Sequence, residues 1–267
     1  MSEQHESVKR TVIVALALCI VCSVVVSAAA VLLKPLQVKN QKLDIRTSVL
    51  RTAGMLKPGE SADEIEKDFA RFQVKLVRLD TGDYVDPKSL GLKDAAAFDQ
   101  RKAAKDPALS RALSGTEDIA SIKREANIAK VYILHEDGKL KRVILPIHGY
   151  GLWSTLWGFI ALKGDANTVA GLGFYQQAET PGLGGEVDNP KWKALWPGKK
   201  IYGDNVEDPL IHLVKGGVDP ASPQVDHEVD ALSGATLTSR GVTNLLQFWL
   251  GKEGFAPYLK KLRAGEV

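Results

Sequence analysis

Hydrophobic positions along this chain fall into three successive patterns. The first is a continuous run: Thr11 to Leu33 holds 23 residues without a charged side chain. As a helix at about 1.5 Å per residue it is about 34 Å long, enough to span the hydrocarbon of a bilayer. The second is mixed. Leu43 to Leu56 reads as a helix that stops near Lys57-Pro58-Gly59. Ser61 with Glu64 three residues later forms a capping box for a helix to about Phe72. Gln73 to Leu79 alternates like a strand, with Val74, Leu76 and Leu79 facing inward. Residues 80–125 are polar and alanine-rich, with few recurring apolar positions, and read as a peripheral insertion. The third pattern is strand after strand. Ala129–His135 and Lys139–Ile147 flank Glu136-Asp137-Gly138, a hairpin signal. Leu156–Lys163 and Thr168–Gln177 flank Gly164-Asp165-Ala166-Asn167, and a short strand follows from Leu210 to Val214. Helices at Leu237–Leu250 and Phe255–Leu262 close the chain. The expected fold class is α+β: one N-terminal transmembrane helix, then a soluble domain with a twisted antiparallel sheet packed with helices. The expected divisions are 1–10, a short N-terminal segment; 11–33, the membrane helix; 34–125, connecting helices and insertion; and 126–267, the main domain.

Composition narrows the function classes. The 267 residues allow a sizeable core. A net charge of +3, from 35 basic and 32 acidic residues, is too balanced for a nucleic-acid surface, so no nucleic-acid partner is expected. Lys9 and Arg10 before the apolar run, and Ala28-Ala29-Ala30 within it, also fit a cleaved signal peptide. The run continues through Val31-Leu32-Leu33, which favours a retained anchor. Basic residues flank both ends of the span, so charge alone leaves its orientation open. The two cysteines, Cys19 and Cys22, lie inside the span on one helix face and read as small packing residues. The rest of the chain has no cysteine and therefore no disulfide or cysteine-held cluster.

Three segments are richer in glycine and hydroxyl side chains than packing requires. His148-Gly149-Tyr150-Gly151-Leu152-Trp153 links the two hairpins. Glu179-Thr180-Pro181-Gly182-Leu183-Gly184-Gly185 is a turn whose amides can face a ligand, yet it is neither a P-loop nor a dinucleotide fingerprint. Asp230-Ala231-Leu232-Ser233-Gly234-Ala235-Thr236, continued by Leu237-Thr238-Ser239-Arg240, precedes the first C-terminal helix. On residue type alone, Ser233, Thr236 or Thr238 would serve as a helix cap.

The heptapeptide resembles the Asp-x-x-Ser-Gly-Ala-Thr recognition motif of bacterial flavin transferases. The order of apolar anchor, Gly-Tyr-Gly-Leu-Trp, Glu-Thr-Pro-Gly-Leu-Gly and that motif resembles the C subunits of the bacterial sodium-translocating NADH:quinone reductase, an FMN-binding domain family, over nearly the whole chain. The resemblance implies FMN held covalently as a phosphoester on Thr236, with Ser233, Gly234 and Ala235 positioning it. Glu179, Thr180, Leu183, Gly184 and Trp153 would line the flavin, and Asp230 would serve transferase recognition. A phosphate at Thr236 would meet the positive end of a helix, with Arg240 one turn on. The implied task is electron relay through flavin, from an intramembrane iron centre to the flavin of the B subunit, within a sodium-transporting, ubiquinone-reducing complex. The implied partners are the A, B, D, E and F subunits, with a flavin transferase for maturation. The implied placement is the inner membrane, with the N-terminus cytoplasmic and the soluble domain periplasmic. No general acid, base or metal ligand is nominated.

Three alternatives stand beside this. The G subunit of the Rnf electron-transport complex shares the last two motifs but is typically shorter between anchor and sheet. A metal-dependent hydrolase would use Asp226-His227-Glu228-Val229-Asp230, but no His-Glu-x-x-His occurs; a serine hydrolase is weaker still, since no Gly-x-Ser-x-Gly occurs. An anchored, non-enzymatic binding domain would lack the yellow colour of a flavin.

Overall fold

The computed structural model describes residues 8–267. Most of the expected 1–10 segment, residues 1–7, lies outside them. The chain divides into two compact units, one ending at Asp44 and one running from Ile45 to Val267.

The first helix, α1 (Val8–Thr52), is one element. Two helices with a break between residues 33 and 43 were expected. Pro35 sits inside α1, where it removes its own N–H bond and crowds the carbonyl of Val31 without ending the helix. Among the described residues α1 is the one helix long and apolar enough to cross a membrane. Its most apolar 18-residue window has a mean hydropathy of 2.9 and buries nothing within the protein. Its length and composition suit a membrane anchor. It stops where Gly54 adopts φ 71°. There Gly54 N–H reaches Arg51 O at 3.0 Å and Met55 N–H reaches Leu50 O at 2.9 Å, a Schellman ending.

The second unit takes the last turns of α1, from Ile45, and then α2 (Ala62–Phe69), opened by the expected Ser61–Glu64 capping box. The strand β1 (Gln73–Arg78) pairs with a two-residue edge strand, β2 (Tyr84–Val85). The stretch to residue 125 holds α3 (Gln100–Ala103) and a small antiparallel pair, β3 (Ser110–Ala112) and β4 (Arg124–Ala126). Then come β5 (Ile128–Glu136), β6 (Lys139–Tyr150), β7 (Thr155–Lys163) and β8 (Val169–Gln176). The β5–β6 turn has φ 51° at Asp137 and 73° at Gly138, the two left-handed positions of a type I′ hairpin. After a short helix α4 (Pro190–Lys193) the chain forms β9 (His212–Val214) and β10 (Glu228–Asp230), then α5 (Thr236–Leu250) and α6 (Ala256–Ala264).

The main sheet is antiparallel, in the order β2-β1-β5-β6-β7-β8. Thus β1, from the stretch assigned to the connection, lies within the same sheet as the later strands. Both faces of β1 are covered. Val77 and Leu79 face the main core, while Leu76 and Val74 face a smaller one built with Ala95, Phe98 and Ala103 of the insertion. Leu79 therefore does not share the face of Val74 and Leu76. The main core sets Val131, Val143, Leu145, Ile147 and Ile160 against Val242, Leu245, Leu246 and Trp249 of α5. The short strand expected from Leu210 to Val214 is β9, and it lies outside the main antiparallel sheet. It pairs instead in parallel with β10, in a separate two-stranded ribbon. That ribbon delivers the chain from Asp230 directly into the Leu232–Ala235 turn and the start of α5.

Candidate functional site

Glu179 organises the region. It follows β8 and is 5% exposed, and five donors converge on its carboxylate. The N–H groups of Trp153 and Ser154 reach Oε1 at 3.0 Å, and Leu152 N–H straddles both oxygens at 3.3 and 3.1 Å. Ser154 Oγ donates to Oε1 at 3.1 Å, and Thr238 Oγ1 donates to Oε2 at 2.7 Å. Burial pushes the carboxyl upward, but the bonds from Thr238, Trp153, Leu152 and Ser154 outweigh it and hold the group below the usual glutamate range. Glu179 thus pins the β6–β7 turn to the first turn of α5.

Glycines permit this convergence. A Cβ on Gly151 would stand 2.8 Å from Glu179 Oε1; one on Gly184 would stand 2.5 Å from Thr238 Oγ1. On α5 itself, a Cβ at Gly241 would meet Tyr150 O at 2.4 Å. The His148–Trp153 segment therefore divides in two. Buried His148 stacks on Trp157 at 4.2 Å, and its carbonyl accepts Trp249 Nε1–H at 2.6 Å. Burial, with Arg101 nearby, lowers its pKa to about 3, so it is neutral. The Gly151–Trp153 half wraps Glu179, leaving the Trp153 side chain exposed.

The heptapeptide is held from within. Ser239 Oγ accepts Leu232 N–H at 3.0 Å and donates to Ala235 O at 3.0 Å. Gly234 has φ 73°, and its Cβ position lies 3.0 Å from Leu183 Cδ2. Ala235 is buried, whereas Ser233 and Thr236 are exposed. Thr236 is the first residue of α5, and the N-cap, Ala235, supplies no side-chain bond. The helix-cap alternative is thus not what these hydroxyls do: Thr238 serves Glu179, Ser239 ties the turn, and Thr236 makes no side-chain hydrogen bond among the described residues. Asp230 has a structural role. Its Oδ1 accepts Val218 N–H at 2.8 Å and its carbonyl accepts Trp192 Nε1–H at 2.8 Å.

A cavity of about 690 Å³ opens beside Thr236, lined also by Ser233, Gly234, Lys215, Gly217 and Arg240. Its wall carries a threonine hydroxyl and two cations, a donor set suited to a phosphate ester and a polar ribityl chain. Of the expected lining residues, Thr236, Ser233, Gly234 and Asp230 meet at this cavity. Leu183 and Trp153 present exposed apolar side chains on the turns bound to Glu179 and Gly234, and Thr180 is exposed. Gly184 is buried against Thr238 and Glu179. Sequence reasoning missed Thr238 and Ser239 as the fasteners of the site. It also missed Lys215-Gly216-Gly217, whose Gly-Gly pair is the one local signal of a special turn. The residues considered for metal hydrolysis are spent elsewhere: Asp226 pairs with Lys200 at 3.0 Å and Glu228 accepts from Ser222 at 2.9 Å.

Comparison with known proteins agrees with this arrangement. The model of the FMN-binding domain family matches residues 151–251, which span both the Glu179 hub and Thr236. The chain is 56% identical over 264 residues to the C subunit of the Na(+)-translocating NADH-quinone reductase of Pseudomonas aeruginosa, covering 98% of this chain and 99% of that one. It is 45% identical over 268 residues to the C subunit of the Pasteurella multocida reductase, covering 99% and 98%. Among solved structures, NqrC of Shewanella oneidensis superposes with a TM-score of 0.75 at 38% identity, over 84% of this chain and 99% of that chain. The C subunit of the Na(+)-translocating NADH-quinone reductase of Parabacteroides distasonis gives 0.63 at 30% identity, over 86% and 96%. These relatives are named as C subunits of the reductase, not as the Rnf G subunit. The chain belongs to the NqrC family, the C subunits of the Na(+)-translocating NADH-quinone reductase, an oxidoreductase complex, and contains its FMN-binding domain.

Proposed function

We propose that Thr236 carries FMN through a phosphoester and that the chain relays electrons within the reductase. The observation that carries this reading is the placement of Thr236: an exposed hydroxyl on the first turn of α5, uncommitted to capping, at the edge of a cavity with two cations. The unpaired N–H groups of that turn favour a negative charge at this point. FMN supplies the redox chemistry; the protein supplies position and electrostatics. Glu179, through Leu152–Ser154 and Thr238, fixes the turns that flank the cofactor. Leu183 and Trp153 offer it apolar surface, Thr180 and Gly184 shape the loop, and Ser233, Gly234 and Ala235 present the hydroxyl. Asp230 holds the motif's entry and is the residue a flavin transferase would read.

In this reading residues 11–33 anchor the chain, 34–125 support the domain, and 126–267 carry the cofactor. The soluble domain faces the periplasm and receives electrons from an iron centre in partner membrane subunits. It passes them to the flavin of the B subunit, in a complex completed by the A, D, E and F subunits in the inner membrane. The test is coexpression of the full chain with a flavin transferase, denaturing electrophoresis, and peptide mass mapping. Flavin fluorescence is expected on the peptide containing Thr236 and absent from Thr236→Val. Fluorescence that survives denaturation in Thr236→Val would overturn the assignment.

A further inference from the structure

We infer that Lys215 and Arg240 form a two-cation cradle for the phosphodiester on Thr236; this rests on the attachment proposed above. The two cations come from different elements that the fold brings to one cavity. Arg240 lies four residues after Thr236 on α5, which places the two on the same helix face, with Cβ atoms about 5–6 Å apart. Lys215 follows the carboxyl end of β9, across the cavity wall. Its position is built. Gly216 and Gly217 adopt φ 87° and 93°, and Asp230 Oδ1 captures Val218 N–H at 2.8 Å just beyond them. On the other side, Leu213 N–H donates to Thr243 Oγ1 of α5 at 3.1 Å, so the strand that carries Lys215 is tied to the helix that carries Thr236.

Neither cation is committed. Among the described residues, Lys215 and Arg240 make no ion pair and no side-chain hydrogen bond. Other lysines of the domain are engaged: Lys193 with Asp188 at 3.0 Å, Lys199 with Val225 O at 2.8 Å, and Lys200 with Asp226 at 3.0 Å. The charged groups on the cavity wall are Lys215, Arg240 and Asp230, a net charge of +1. A phosphodiester, with its single negative charge, neutralises the site. The cradle therefore holds the link rather than the ring. It restricts the tether's swing and leaves the isoalloxazine to the apolar surface of Leu183 and Trp153.

The full chain, coexpressed with a flavin transferase and purified in detergent, is compared with Lys215→Met, Arg240→Met and Lys215→Arg. Loading is read from the mass of the Thr236 peptide, the phosphate's surroundings from its 31P resonance, and tether freedom from flavin fluorescence anisotropy. Each Met variant is expected to move the 31P resonance and to raise about threefold the fraction of tethers swung free of the cradle, read as lower anisotropy, the scale of one exposed ion pair. Lys215→Arg should restore the parent anisotropy. In the parent, raising salt from about 0.05 M to about 1 M should move the same resonance, because screening shortens the reach of charge. That titration needs no variant, so it holds even where a substitution blocks loading. A loaded parent whose 31P resonance ignores salt, or loaded Met variants with parent resonance and anisotropy, would overturn the cradle while leaving Thr236 as the attachment site. A parent with no flavin on Thr236 would remove both.

Discussion

Replacing Glu179 by Leu keeps side-chain bulk and removes the acceptor that five donors share. Ser154 Oγ can turn elsewhere, which leaves the N–H groups of Leu152, Trp153 and Ser154 and the buried hydroxyl of Thr238 unpaired. An unsatisfied buried donor costs about 1–3 kcal/mol, and the three main-chain groups lie on a turn that water reaches, so the low end applies. Four groups at about 1 kcal/mol give about 4 kcal/mol, and relief of the carboxylate's own desolvation offsets part, for a net loss of about 3 kcal/mol. Urea unfolding of the full chain in detergent reads this directly. Hydrogen exchange localises it: amides 152–154 should exchange about 100-fold faster, since each 1.4 kcal/mol is about tenfold. The pH dependence has a definite sign. The folded carboxyl lies below the usual range, so Glu179 contributes its full stability above the ordinary glutamate pKa and loses it as pH falls through the lower, folded value. Glu179→Gln should flatten that acid limb and cost about 1–2 kcal/mol, since an amide still accepts. The reasoning fails if Glu179→Leu unfolds within about 0.5 kcal/mol of the parent with unchanged exchange at 152–154.

Gly241→Ala drives a methyl to 2.4 Å from the Tyr150 carbonyl and should cost about 1–3 kcal/mol by thermal unfolding, with reduced flavin loading because α5 must shift. Trp249→Ala empties a fully buried site on α5 and should cost about 3–5 kcal/mol in the same assay. Glu125, buried beside Arg111 with one oxygen unpartnered, has its pKa raised by burial to about 7. The folded state therefore binds a proton that the unfolded state has released between the ordinary glutamate pKa and about 7, and stability falls as pH rises through that window. Glu125→Gln should remove that decline, which a denaturation series from pH 5 to pH 8 would show.

Parts of this fold were legible because local chemistry agreed with the final structure. Asp137-Gly138 announced a hairpin, since few other pairs accept two positive φ values, and the β5–β8 run followed from its apolar segments. The long apolar helix was legible from length, although its continuation past Pro35 was not, because one proline lowers helix propensity without forbidding the turns around it. Three-residue strands left no periodicity to read. The β9–β10 pairing is parallel and joins segments separated by a long loop, which local pattern does not encode. The heptapeptide stood out in the sequence, but its geometry did not. Thr238 meets Glu179 across 59 residues, and Lys215 reaches the same cavity as Thr236 through a ribbon that no residue spacing announces.

The order of these parts along the chain has a consequence for biosynthesis. The segments distant in sequence that brace Thr236 all precede it: the β6–β7 turn, Glu179, the Gly216-Gly217 turn and Asp230. The helix that closes the site comes near the end, and its Trp249, Leu245 and Val242 complete the main core. Since domains generally form as units while N-terminal parts emerge first, a ribosome must finish α5 before the scaffold has its last wall. A chain cut short within α5 would display the heptapeptide but not the posture of its threonine. The last stretch of chain to be made thus sets the posture of the residue proposed to carry the cofactor.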